Sequence, residues 1–174
     1  MLKEIFKNII SRKQVIPFPE GFNVTPEEAA KIVDFQAKID TIFGRSLRIR
    51  QVDAGSCNAC EWECTALTNP IYDIQRFGID FVASPRHADV LLVTGPVSRQ
   101  MELALKRTYR ATPEPRLVVA CGDCARDGGI YKGSYAVANG VANVVPVNGY
   151  IPGCPPTPTA IIIGLSRIIE AYTR

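Results

Sequence analysis

Leu117-Val118-Val119-Ala120-Cys121-Gly122-Asp123-Cys124 is the stretch on which the fold turns. Five apolar residues in a row, stopped by a glycine, predict a strand covered on both faces, as strands of a parallel sheet are. The strand opens directly into a glycine-rich turn that carries a cysteine. Val90-Leu91-Leu92-Val93-Thr94, ended by Gly95-Pro96, has the same character. Outward from these two, Leu47 to Val52 alternates apolar residues with arginine, as an edge or half-exposed strand does. Ile79 to Ala83 reads as a short strand. Val144 to Val147 reads as another, with Pro146 pointing to an edge or a start. Helices are expected over Gln100 to Tyr109, stopped before Pro113 and Pro115, and over Thr159 to Tyr172. Strands alternating with helices predict an α/β domain built on a parallel sheet with right-handed crossovers.

The first 45 residues read differently. Leu2, Ile5, Phe6, Ile9 and Ile10 fall on one helical stripe, with Lys3, Lys7, Arg12 and Lys13 off it. Such a basic amphipathic segment suits a fold-back onto its own domain, a membrane interface or a docking partner. Pro17, Pro19 and Gly21 interrupt it. Thr25-Pro26-Glu27-Glu28 then caps a second helix that runs to Gly44. The chain therefore divides into a helical extension, residues 1–45, and an α/β domain, residues 46–174.

Hydrophobic residues at 47% and charged residues at 21% of the 174 positions are enough for a real core. A net charge of +3, with no basic patch interleaved with aromatics, argues against nucleic-acid binding. No apolar run nears the ~20 residues that cross a bilayer. The first fifteen residues hold no secretory apolar core, so the six cysteines are expected in reducing cytoplasm. There, metal or redox chemistry is expected ahead of disulfides.

Four cysteines follow predicted strands: Cys57 and Cys60 in Gly-Ser-Cys-Asn-Ala-Cys, Cys124 in Gly-Asp-Cys-Ala, and Cys154 in Pro-Gly-Cys-Pro-Pro. Parallel strands would gather them at the carboxyl edge of one sheet, where open α/β sheets bind their ligands. Sets of four thiolates hold iron–sulfur clusters. Spacing alone leaves a competitor, because Cys57-x2-Cys60 and Cys121-x2-Cys124 match the two C-x2-C pairs of a zinc-stabilised interaction module. The gap between those pairs is about three times the usual roughly 15–20 residues, and Cys154 would be left without a role. A thioredoxin-like dithiol at Cys57 and Cys60 would likewise leave the later cysteines unexplained. Cys121 ends an apolar strand and reads as a small core residue. Cys64 stands one helical turn beyond Cys60 and reads as either a ligand or a packing residue.

The string Arg76-Phe77-Gly78-Ile79, Ser84-Pro85-Arg86-His87-Ala88-Asp89-Val90, Thr94-Gly95-Pro96-Val97, Gly122-Asp123-Cys124-Ala125, Val145-Pro146-Val147 and Ile151-Pro152-Gly153-Cys154-Pro155-Pro156 is similar to a known superfamily. It contains the small subunits of nickel–iron hydrogenases and the 20-kDa, quinone-proximal subunit of respiratory complex I. The resemblance covers roughly Arg48 to Ile169. It implies a flavodoxin-like domain holding one 4Fe–4S cluster beside a large catalytic subunit, with Cys57, Cys60, Cys124 and Cys154 as ligands. Complex I subunits carry two adjacent cysteines at the first motif. Cys57-Asn58-Ala59-Cys60-Glu61 instead resembles the C-x-G-C-acid form of hydrogenases, with Ala59 in place of glycine. The shortness of the chain resembles the membrane-associated, energy-converting or formate-hydrogenlyase type.

That type implies an oxidoreductase subunit with no complete active site of its own, on the cytoplasmic face of the inner membrane. Its implied partners are a nickel–iron large subunit, a ferredoxin-like iron–sulfur subunit, and membrane-arm subunits that meet the N-terminal segment. The alternative within the superfamily is a quinone-reducing subunit. Glu61 is expected near the catalytic interface, where it would assist proton passage or simply favour the helix start. His87 is expected as a loop hydrogen-bonder, Arg86 and Asp89 as structural or interface charges, and Trp62 and Tyr72 as core or interface aromatics.

Overall fold

The structure, a computed structural model, describes residues 44–172 together with Ala37, Ile39 and Thr41. The helix expected over Met1 to Lys13, and most of the one expected over 25–44, lie outside the described residues.

Five strands form one sheet: β1 (Leu47–Asp53), β2 (Ile79–Phe81), β3 (Val90–Thr94), β4 (Leu117–Cys121) and β5 (Gly149–Ile151). Their order is β2-β1-β3-β4-β5 and every pairing is parallel. That is the flavodoxin-like order, with a topological switch point between β1 and β3. β3 and β4 are buried along their whole length, as their unbroken apolar runs require.

Among the described residues four helices with defined bounds flank the sheet: α1 (Ala59–Ala66), α2 (Arg99–Ala111), α3 (Asp123–Asp127) and α4 (Pro158–Tyr172). Side-chain alternation sorts the core into two layers. On one face Leu47, Ile49, Leu92, Val119 and Ile151 pack with Cys64 of α1, with Leu67 just beyond it and with Ile161, Leu165 and Ile169 of α4. The α4 residues recur every fourth position, so one stripe of that helix is buried. Each fully buried Ile or Leu contributes about 1.5–3 kcal/mol. On the other face Leu91, Val93, Val118 and Ala120 pack with Leu105 of α2 and Ala125 of α3. The Ser98 hydroxyl caps α2 by accepting from the Met101 N–H at 3.3 Å.

One open alternative is decided and one sequence expectation needs correcting. β1 is half-exposed at Arg48 and Arg50 but is not an edge; β2 and β5 are the edges. The strand expected at Val144 to Val147 is a turn and loop, and the fifth strand lies at Gly149–Ile151. Asn148 explains the displacement. Its side-chain oxygen accepts from the Val118 N–H at 2.8 Å and its own N–H donates to the Val118 carbonyl at 2.8 Å. Asn148 thereby starts the ladder with β4, and Val145 packs into the core instead of pairing. Gly149 makes room for α4, because a Cβ there would stand 2.5 Å from the Ile168 side chain, which would have to shift. Close helix approach selects glycine over the β-branched residues that a strand usually prefers.

Candidate metal centre

Every loop that leaves the carboxyl end of β1, β3, β4 and β5 contributes to one hollow. It is lined by Ser56, Cys57 and Cys60 after β1, Gly95 after β3, Asp123 and Cys124 after β4, and Gly153, Cys154 and Pro155 after β5. Ser56 and Gly95 come from the two strands that flank the switch point, where open parallel sheets bind ligands. The structure thus brings Cys57, Cys60, Cys124 and Cys154 together. Cys60 and Cys124 are buried, whereas Cys57 and Cys154 are exposed at the mouth.

Side chains of the first loop hold its own backbone. Asp53 Oδ1 accepts from the N–H groups of Gly55 and Ser56 at 2.8 and 2.9 Å, turning the chain sharply after β1. Ser56 Oγ then accepts from the Asn58 N–H at 3.0 Å. Asn58 takes a left-handed conformation, φ 71°, and α1 begins at once. The first intrahelical bond here runs from Trp62 N–H to the Asn58 carbonyl, which leaves the N–H groups of Ala59, Cys60 and Glu61 without helical acceptors. That positive helix end favours thiolates beside it.

Glycines bring the loops close. A Cβ on Gly95 would stand 2.8 Å from Ser56 N, and one on Gly122 would stand 2.7 Å from Cys60 Sγ. A Cβ on Gly129 would fall 2.9 Å from Cys124 Sγ, which also accepts a hydrogen bond from the Ile130 N–H. Glycine is therefore required where the backbone cradles sulfur.

Without a bound metal the site disfavours thiolates. Burial first, then the Glu61 carboxylate and the neighbouring thiols, push Cys60 up to about 12. Burial and then Cys154 raise Cys124, partly offset by the Ile130 N–H. Metal coordination deprotonates thiols outright, so cations would relieve this mutual repulsion. Among the described residues no three histidine, cysteine or acidic side chains are placed to hold a single ion. The four thiols instead surround the hollow, and a cluster that takes one thiolate per iron fits that distribution. The donor set and its glycine cradle fit such a group.

Cys64 and Cys121 lie elsewhere. They are 1% and 0% exposed, behind Cys60, and are hydrogen-bonded to each other. That bond, and then burial, raises the Cys121 thiol. Glu61 is also buried; its Oε2 accepts from the Ser56 hydroxyl at 2.6 Å, while Oε1 has no protein partner among the described residues. Trp62 is 68% exposed and so is not a core residue. Asp89 is structural, since it takes both Arg45 guanidinium nitrogens at 2.8–2.9 Å and the Arg48 N–H at 3.0 Å. His87 is exposed in a short 3₁₀ turn, Pro85–His87. Sequence reasoning missed Asp53 and Ser56, although Asp-x-Gly-Ser after a strand carries a recognisable Asx-turn signal.

Residues 57–168 match the family described as NADH ubiquinone oxidoreductase, 20 Kd subunit. Formate hydrogenlyase subunit 7 of Escherichia coli is 42% identical over 88% of this chain, which spans 58% of that relative's length. A probable membrane-bound hydrogenase subunit, mbhJ, of Pyrococcus furiosus is 42% identical over 79% of this chain and 83% of its own. An NADH-quinone oxidoreductase subunit of Desulfovibrio desulfuricans is 43% identical over 89% of this chain and 82% of its own. A chain of the archaeal membrane-bound sulfane sulfur reductase superposes with a TM-score of 0.65 at 34% identity, covering 78% of this chain and 73% of that one.

Proposed function

The chain belongs to the NADH ubiquinone oxidoreductase 20 Kd subunit family, and we propose that it is the electron-transfer small subunit of a membrane-bound nickel–iron hydrogenase. Its relatives are subunits of hydrogenase-type and complex I-type oxidoreductases. In this reading Cys57, Cys60, Cys124 and Cys154 hold one 4Fe–4S cluster. When bound, that group accepts and passes on one electron at a time. The observation that carries the reading is the meeting of these four thiols, from three loops, in one glycine-cradled hollow.

The chain's own residues set the environment. Asp53 and Ser56 fix the first cysteine pair, and the unsatisfied N–H groups at the start of α1 offer hydrogen bonds to sulfur. Gly122 and Gly129 bring backbone against Cys60 and Cys124. Glu61, anchored at Oε2 by Ser56 and free at Oε1, is a carboxylate able to carry a proton past the site. The electrons pass between a nickel–iron large subunit and a ferredoxin-like subunit. The extension, residues 1–45, rests on the membrane arm at the cytoplasmic face. Among the described residues no helix is long and apolar enough to cross a membrane.

A quinone-reducing subunit is the second reading, favoured by the equally similar NADH-quinone oxidoreductase relative. The separation of Cys57 from Cys60 by two residues supports the hydrogenase reading, because the complex I form carries adjacent cysteines. Purification of the intact complex tests the choice. Nickel in the co-purifying large subunit, with viologen-linked hydrogen oxidation insensitive to quinone-site inhibitors, is the expected result. A nickel-free partner with inhibitor-sensitive quinone reduction would overturn it.

A further inference from the structure

We infer that Asp123 is a positioning residue that clasps the Cys124 loop to the Cys154 loop and so sets the spacing of two thiols in the hollow. The inference rests on the proposed ligand set and adds to it a residue that is not itself a ligand.

β4 and β5 stop at Cys121 and Ile151, yet the chains beyond them stay joined. The Gly122 N–H donates to the Ile151 carbonyl at 2.8 Å, and the Asp123 N–H donates to the Gly153 carbonyl at 2.9 Å. The Asp123 side chain then turns back, and its Oδ1 accepts from the Gly153 N–H at 3.3 Å. One residue therefore engages both polar backbone groups of Gly153. Asp123 directly precedes Cys124 and Gly153 directly precedes Cys154, so this pair of hydrogen bonds links the backbones of the two cysteines. Arg126, three residues along α3, holds the same carboxylate oxygen from Nη1 at 3.5 Å.

The Cys154 loop needs an external tie. Gly153 has φ 138° and a Cβ there would lie 2.5 Å from Pro156 Cα, so the position accepts no side chain that could fix its own peptide. The Cys57 loop differs, because Asp53 and Ser56 bind its amides from within. An aspartate at the start of a helix is also explained by the dipole alone. That explanation predicts no effect on Cys154 and is separable by experiment.

The test compares the full chain with Asp123→Asn and Asp123→Ala, each in its complex and prepared anaerobically. Asparagine keeps an Oδ1 acceptor and alanine removes it. Iron release to a ferrous chelator and the paramagnetic spectrum of the reduced protein are read beside thermal unfolding. Loss of one hydrogen bond to a charged acceptor is expected to speed iron release about tenfold in Asp123→Ala and to alter its spectrum. Asp123→Asn is expected to stay within about twofold of wild type with an unchanged spectrum. Should Asp123→Ala fail to fold, Asp123→Ser, too short to reach Gly153, replaces it. Wild-type retention and spectrum in the alanine or serine variant would overturn the inference, as would an asparagine variant impaired to the same degree. A wild-type protein without iron would instead refute the ligand set and, with it, the role of the clasp.

Discussion

Cysteines occupy two regions of this domain, and the same element meets a different environment in each. Cys57, Cys60, Cys124 and Cys154 stand at the carboxyl edge of the sheet, in loops or in the first turns of α1 and α3, around a hollow cradled by backbone. Cys64 and Cys121 lie one layer deeper, on α1 and β4, as free thiols sealed from solvent and hydrogen-bonded to each other. Sequence spacing would pair Cys121 with Cys124 as readily as Cys57 with Cys60. Pleat and burial decide otherwise, because Cys121 is the last residue of a fully buried strand and packs in the core layer. On the sheet a cysteine becomes available to metal only where the strand has ended, and on α1 only in the first turn.

The sharpest way to break this division is to exchange the regions' fates by mutation. Cys154→Ser is expected to lose essentially all iron and acid-labile sulfide, whereas Cys64→Ala keeps both; equal retention would erase the distinction. Alkylation of the iron-free chain follows in size. With its thiol at about 12, Cys60 holds about a thousandth of an ordinary thiol's thiolate at pH 8. Exposed Cys57 and Cys154 should label first, and Cys60 labelling should climb as pH rises from about 9 towards 12. Mass spectrometry of the labelled peptides reads the order. Early labelling of Cys60 would contradict its burial.

Gly122→Ala should cost about 2–4 kcal/mol in denaturant unfolding and weaken iron retention, since it combines φ 89° with a Cβ 2.7 Å from Cys60 Sγ. Gly133→Ala shares the positive φ, 81°, but meets nothing within 4 Å, so it should cost only about 1 kcal/mol and leave iron in place. Cys121→Ala should likewise cost little, about 1–2 kcal/mol of core packing, with the iron content unaltered. Iron loss there would move Cys121 into the first region.

Much of this arrangement is legible in the residues. Val90 to Thr94 and Leu117 to Cys121 announce buried strands by unbroken apolar runs, and those runs imply a parallel sheet. Glycines after strands mark the loops. What escapes is set by contacts between elements. Residues 144–147 look like the fifth strand, but Asn148 starts the ladder with a side chain and Gly149 answers to Ile168, neither of which is a propensity. The Arg48 and Arg50 alternation reads as an edge or a half-exposed strand, and pairing on both sides leaves the second: a partly open face on an interior strand. Trp62 reads as a core or an interface aromatic, and its exposure on α1 rules out the core. The clasp of Asp123 on Gly153 joins residues thirty positions apart, and no local pattern encodes it.

Iron and acid-labile sulfide counted per chain, with low-temperature electron paramagnetic resonance before and after reduction, tests the central claim on the anaerobically purified complex. One additional cubane assigned to this subunit, silent when oxidised, paramagnetic after a single electron and abolished by Cys154→Ser, is the predicted result. One zinc per chain, or a reduced spectrum that Cys154→Ser leaves unchanged, would contradict it.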